Sequence, residues 1–127
     1  MNLFQDSNSS HIKLYDLQVV DQMCHGNEEQ VLKMVEVFID QISKSIKEIE
    51  TAYFENDFLK IKSVAHKIKP LFTYFGTSKL KKEFLLTEVL FSKEIVSLEL
   101  EKKITNLNLM AQEVISEMKN DFNIIYE

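Results

Sequence analysis

Only three residues of this chain break a helix by backbone geometry alone: Gly26, Pro70 and Gly76, among 127 residues. They make up about 2% of the chain, against an average nearer 12% for glycine plus proline. So few punctuators exclude collagen-like, linker-rich and turn-rich all-β chains. The regular elements must therefore be long, and between the breakers the apolar residues recur every three to four positions, the period of a helix. No strand-like alternation survives inspection of the sequence.

After Gly26, Asn27 is placed to cap a helix, with Gln30 three residues on in capping-box-like spacing. Val31, Met34 or Val35, Phe38, Ile42, Ser45, Ile49 and Ala52 then line one face of a helix of about 25 residues. Asn56 suits a left-handed stop and Asp57 the next N-cap. Phe58, Ile61, Ala65, Ile68, Phe72 and Phe75 form a second stripe, which Gly76 ends. Thr77 or Ser78 opens another helix through Leu80, Phe84 and Phe91. The last helix begins near Ser97 and aligns Leu100, Ile104, Leu107, Ala111, Val114, Met118 and Phe122. A short helix from about Tyr15 to Met23 precedes Gly26. The fold class expected is all-α: an antiparallel four-helix bundle with a short additional N-terminal helix, because short loops favour antiparallel neighbours. Residues 14–127 are expected to form this single domain, and the polar residues 1–13 a disordered tail. The initial Met and a full set of helices are expected of a free-standing protein.

Composition narrows the function classes. The net charge is −5, and all fifteen basic residues are lysines, so no guanidinium fork is present for phosphate or guanine. That balance argues against nucleic acid as a partner. No apolar run approaches the length of a membrane span, and the start MNLFQDSNSSHIKLYD is unlike a signal peptide. Cys24 is the single cysteine, which leaves neither an intramolecular disulfide nor a zinc pattern, so a reducing cytoplasm is the expected compartment. There is no glycine-rich phosphate loop and no HExxH, so neither a nucleotide nor a metal cofactor is expected on this chain.

The charge is unevenly spread. From Phe58 to Lys82 there are seven lysines, at 60, 62, 67, 69, 79, 81 and 82, and no acid, so +7 stands against −12 elsewhere. Such asymmetry marks either a solvated helix face or a docking surface for an anionic partner. His66 lies within this segment, and at 3.6 residues per turn it points roughly 100° or more from the centre of its helix's apolar stripe. It is predicted to face solvent from mid-helix, with Lys62 and Lys69 on its side at i−4 and i+3. Pro70 falls inside the same helical pattern and cannot donate to the carbonyl of His66. It is either a kink that lets Phe72 and Phe75 pack or a compact residue that leaves room for a partner beside His66.

The run Ala65-His66-Lys67-Ile68-Lys69-Pro70, then LFTYF, then Gly76, resembles the signature of the histidine-containing phosphotransfer (HPt) domain of multistep two-component signalling. That signature runs Ala-His-x-Leu/Ile-Lys-Gly, five variable residues and Gly. The flanks are similar too: YDLQVVDQMCHGNEEQVLKMVEVFIDQ resembles the family's first helix, glycine turn and long second helix, and GTSKLKKEFLLTE its following segment. The likeness covers about residues 14–92, and Pro70 departs from it where the family usually has glycine.

The resemblance implies that His66 is the phosphoryl acceptor and donor, an imidazole whose ordinary pKa leaves a neutral nucleophilic nitrogen. It implies that Lys69 stabilises the phosphoryl oxygens, with Lys62 and Lys67 in lesser roles of the same kind. Glu88 sits where some members carry a glutamine that hydrogen-bonds the imidazole, and a carboxylate there is placed to take the Nδ1 proton or to be an ordinary helix glutamate. The partners implied are the receiver domains of a hybrid sensor kinase and of a response regulator, which bring the acidic pocket, the nucleophilic aspartate and the Mg²⁺; the chain itself is expected to be a monomer without independent kinase or phosphatase activity. Pro70 would lie within the docking face, and Leu17, Val20 and Val35 are expected as its apolar contributors. Two other readings remain: a helical adaptor of the same fold that binds receivers without being phosphorylated, and an unrelated bundle whose basic stripe binds nucleic acid.

Overall fold

The computed structural model describes residues 13–125, which form five helices and no strand. They are α1 (Gln18–Met23), α2 (Glu28–Phe54), α3 (Phe58–Tyr74), α4 (Ser78–Phe91) and α5 (Leu98–Asp121). The expected tail lies outside the described residues except for Lys13, whose ammonium pairs with Asp121.

Local chemistry sets most helix starts. Asn27, Asp57 and Ser97 each accept a backbone amide three residues on, from Gln30, Lys60 and Leu100 at 3.0–3.1 Å, satisfying donors that a helix start leaves orphaned. The fourth, Thr77, caps nothing with its side chain; its buried hydroxyl donates instead to the Phe72 carbonyl at 3.1 Å. The first helix begins at Gln18, not at Tyr15, because the residues before it have other partners. Tyr15 is buried with its hydroxyl donating to Asp121, the Asp16 amide donates to Phe75, and the Asp16 carboxylate accepts the amide of Gln18.

Four helices end on the same device. The residue after the C-cap takes positive φ: His25, Asn56, Gly76 and Asn123 at 53°, 57°, 61° and 54°. Its amide and the next one reach back to the last turn, as in Asn56 to Tyr53 and Asp57 to Ala52 at 3.1 and 2.8 Å. Asn56 and Gly76 match the sequence reading. His25 adopts the left-handed conformation too, as does Glu94 between α4 and α5, although glutamate is not a residue type that favours it.

Helices α2 and α3 run antiparallel, as do α3 and α4. The ring pairs Phe38–Phe75 and Tyr53–Phe58 tie opposite ends of α2 and α3, and Thr73–Lys81 and Lys62–Glu94 do so for α3 and α4. Helix α2 touches α1, α3 and α5, and α4 touches α3 and α5. One core joins them, with Phe38, Phe72, Phe84, Phe91, Ile42, Ile61, Leu100 and Leu107 essentially inaccessible to water. Each such side chain stabilises the fold by roughly 1.5–3 kcal/mol through burial. Among the described residues no helix is long and apolar enough to cross a membrane.

Candidate functional site

Helix α3 turns Phe58, Ile61, Val64, Ala65, Ile68 and Phe72 into the core. The opposite arc carries Lys62, His66, Lys67 and Pro70, all exposed. His66 therefore stands on the solvent face as its spacing predicts, and its ring has no hydrogen-bond partner among the described residues. The helix is continuous through Pro70. That proline lies one turn beyond His66 on the exposed arc, so the carbonyl it leaves without an intrahelical donor belongs to an exposed residue. Beyond Pro70, Phe72 meets Phe84 with ring centroids 5.0 Å apart and Phe75 meets Phe38 at 4.5 Å. The turn after the proline thus anchors α3 to both α4 and α2.

The flanking lysines are not free cations. Lys69 Nζ pairs with Glu88 Oε2 of α4 at 2.9 Å, and Lys62 Nζ pairs with Glu94 Oε2 beyond α4 at 2.6 Å. Lys81 Nζ donates to Thr73 Oγ1 at 2.9 Å along the same seam. The stretch from Phe58 to Lys82 has no acid of its own, but the fold brings carboxylates to it from α4 and the segment that follows. These contacts also place Glu88, for which the sequence leaves an imidazole partner and an ordinary helix glutamate both open. Its carboxylate faces Lys69, and no hydrogen bond joins it to His66. Lys67 is turned the other way, over a shallow depression lined by Asp40, Lys44 and Glu48 of α2.

Two of the expected apolar contributors are corrected. Val20 and Val35 are fully buried. Val20 is the residue by which the short α1 holds to the core, and α2 has three neighbouring helices and so buries a wider arc than one stripe. Leu17 is half-buried and packs on that core. The exposed apolar side chains near His66 are others. Leu59 stands two turns before it on the same side of α3 and is 80% exposed. On α4, Leu85 lies four residues after Lys81 and three before Glu88, hence on the α3 side; it is 39% exposed, and Val89 one turn on is 59% exposed. A wheel drawn for α4 alone shows Leu85 and Val89 off the apolar stripe, but their place on the α3 side appears only with the α3–α4 pairing.

Among the described residues no group of three His, Cys, Asp or Glu side chains converges as a metal site. Comparison of the chain with family models, with curated proteins and with solved structures gives no match.

Proposed function

We propose that this chain is a phosphorelay intermediate of the HPt kind, a four-helix bundle with a short leading helix that carries a phosphoryl group on His66. The observation that carries this reading is a solvent-presented imidazole on a continuous helix, with Lys69 one turn on, in a run that resembles the family signature. In the reaction, a neutral ring nitrogen of His66 attacks the phosphorus of a receiver's aspartyl phosphate. The P–N bond forms as the acyl phosphate P–O bond breaks, and the electron pair leaves with the aspartate carboxylate. The other ring nitrogen loses its proton to water, since Glu88 is engaged with Lys69. Onward transfer to a response regulator is the reverse. Metal and acidic pocket belong to the receiver, so the work of this chain is positioning and charge neutralisation. Such an exchange belongs in the cytoplasm.

The docking face in this reading is centred on His66, with Lys62, Lys67, Lys69 and Pro70 around it and Leu59, Leu85 and Val89 as its apolar parts. Its lysines favour an acidic partner and act chiefly on the rate of encounter. The test is incubation with a receiver domain phosphorylated on its aspartate. Label that is acid-labile and base-stable is expected on the wild type and absent from His66→Gln. Undiminished transfer to the variant refutes the reading. One observation supports a second reading, an adaptor that binds receivers without transfer: Pro70 occupies the exposed position one turn from His66. In that case the wild type stays unlabelled, and Pro70→Gly gains label.

A further inference from the structure

We infer that Glu88 is an internal stand-in for the phosphoryl group, holding Lys69 until His66 is phosphorylated and thereby limiting how much phosphohistidine accumulates. The inference rests on the relay reading above and concerns a balance within that site.

Two ion pairs flank His66, and they differ. Lys62 and Glu94 are 50% and 54% exposed, and Glu94 lies beyond the end of α4. Lys69 and Glu88 are 38% and 30% exposed and belong to two packed helices, so their meeting is fixed by the α3–α4 contact rather than by side-chain chance. Reduced solvent contact strengthens a pair and lowers its entropic cost. Lys69 is three residues from His66, and of the two lysines on its side of α3, Lys62 at i−4 and Lys69 at i+3, it is the nearer along the chain.

A phosphoryl group brings up to two negative charges to that place. The Lys69 ammonium then has two anions to serve. If it stays with Glu88, the phosphoryl oxygens lack their cation; if it swings to them, Glu88 is left as an uncompensated carboxylate on the same seam. Either way phosphorylation carries a cost that a neutral residue at position 88 would not impose. Replacing the carboxylate by an amide keeps the shape and removes the competing charge. An exposed or half-exposed pair governs a two- to fivefold ratio at most, about the worth of such pairs in general.

Phosphoramidate serves as the probe, since it donates to an exposed imidazole without any protein partner. Its P–N bond breaks, a P–N bond to a ring nitrogen of His66 forms, and the ring proton leaves with the ammonia released. Occupancy at His66 is read at subsaturating donor in the wild type, Glu88→Gln, Lys69→Ala and the double variant, with His66→Gln as blank and helical content checked for each. Glu88→Gln is expected to raise occupancy roughly two- to fivefold, and the gain is expected to vanish in the Lys69→Ala background. A wild type that takes no label at His66 overturns the relay reading and this inference with it. A labelled wild type matched by Glu88→Gln overturns the inference alone. A gain that persists without Lys69 also overturns it, since Glu88 would then act by direct repulsion. A structural role for the pair would change helical content, not the dependence of one substitution on the other.

Discussion

Gly76 is needed for two separate reasons. Its φ of 61° is costly for any residue with a Cβ, and a Cβ built there would lie 2.5 Å from the Asp16 carbonyl oxygen and 2.8 Å from the Asp16 nitrogen. Gly26 shares only the first requirement, with φ of 74° and open space where its Cβ would be. Alanine at the two sites should therefore differ. Gly26→Ala is expected to cost about 1 kcal/mol, and Gly76→Ala about 3 kcal/mol or more, because backbone must shift to admit the methyl group. Urea unfolding of both variants measures the difference, and equal losses would show that the residue-16 contact yields easily. At this scale the sequence was informative where one helix decides the outcome. The exposure of His66 follows from its angle to Ala65 and Phe72, and the stop at Asn56 from its residue type. The partners of Lys62 and Lys69 do not follow, because they depend on how far α4 slides along α3.

Among elements, α3 carries the unusual feature. Proline inside a helix removes a hydrogen bond and costs about 3 kcal/mol relative to alanine in an exposed helix interior. Pro70 is exposed, and the bond it forfeits is one to the carbonyl of His66, so the loss falls on the hydrated side, toward which helices already tend to bow. Pro70→Ala is therefore expected to stabilise the protein by about 1–2 kcal/mol, the remainder being offset by the stiffness proline gives the unfolded chain. Thermal unfolding of the variant checks this, and no gain would mean that the turn holding Phe72 and Phe75 is built around the proline. Element starts were legible because capping is local: Asn27, Asp57 and Ser97 need only their own next turn. Core membership was less so for α2. A single apolar stripe leaves Met34 and Val35 as alternatives, and only a helix with three neighbours explains why Val35 is fully buried while Met34 is half covered.

At the scale of the molecule, two tyrosines join segments far apart in sequence. Burial raises the Tyr15 phenol far above its ordinary value of 10.0, helped by the bond to Asp121 and by the charges of Asp121 and Glu117. Burial likewise raises Tyr53, and Glu101 adds to this against the opposing backbone amide of Ser97, which donates to the phenol oxygen. A raised acid stays protonated in the folded state while its unfolded counterpart ionises, so the unfolded chain binds fewer protons above pH 10.0. This stabilisation is complete below that pH and declines as the pH rises beyond it. Thermal midpoints should accordingly fall above pH 10.0, and Tyr15→Phe should flatten that fall while weakening the fold at neutral pH. An unchanged slope in the variant would place the alkaline sensitivity elsewhere. The pairing of Tyr15 with Asp121 lay beyond sequence reasoning, since nothing local to either residue announces it.

The Tyr53 hydroxyl has one more effect. It accepts the amide of Ser97, and its single proton is shared between the carbonyl of the same residue and Glu101, bridging the end of α2 to the start of α5 across 44 positions of chain. Ser97 is also the residue that caps α5 through the Leu100 amide. The start of the last helix is therefore not an independent fraying end. Amide exchange at Leu100 should track exchange at the last turn of α2, the two opening and closing as one cooperative unit although neither is the other's neighbour along the chain.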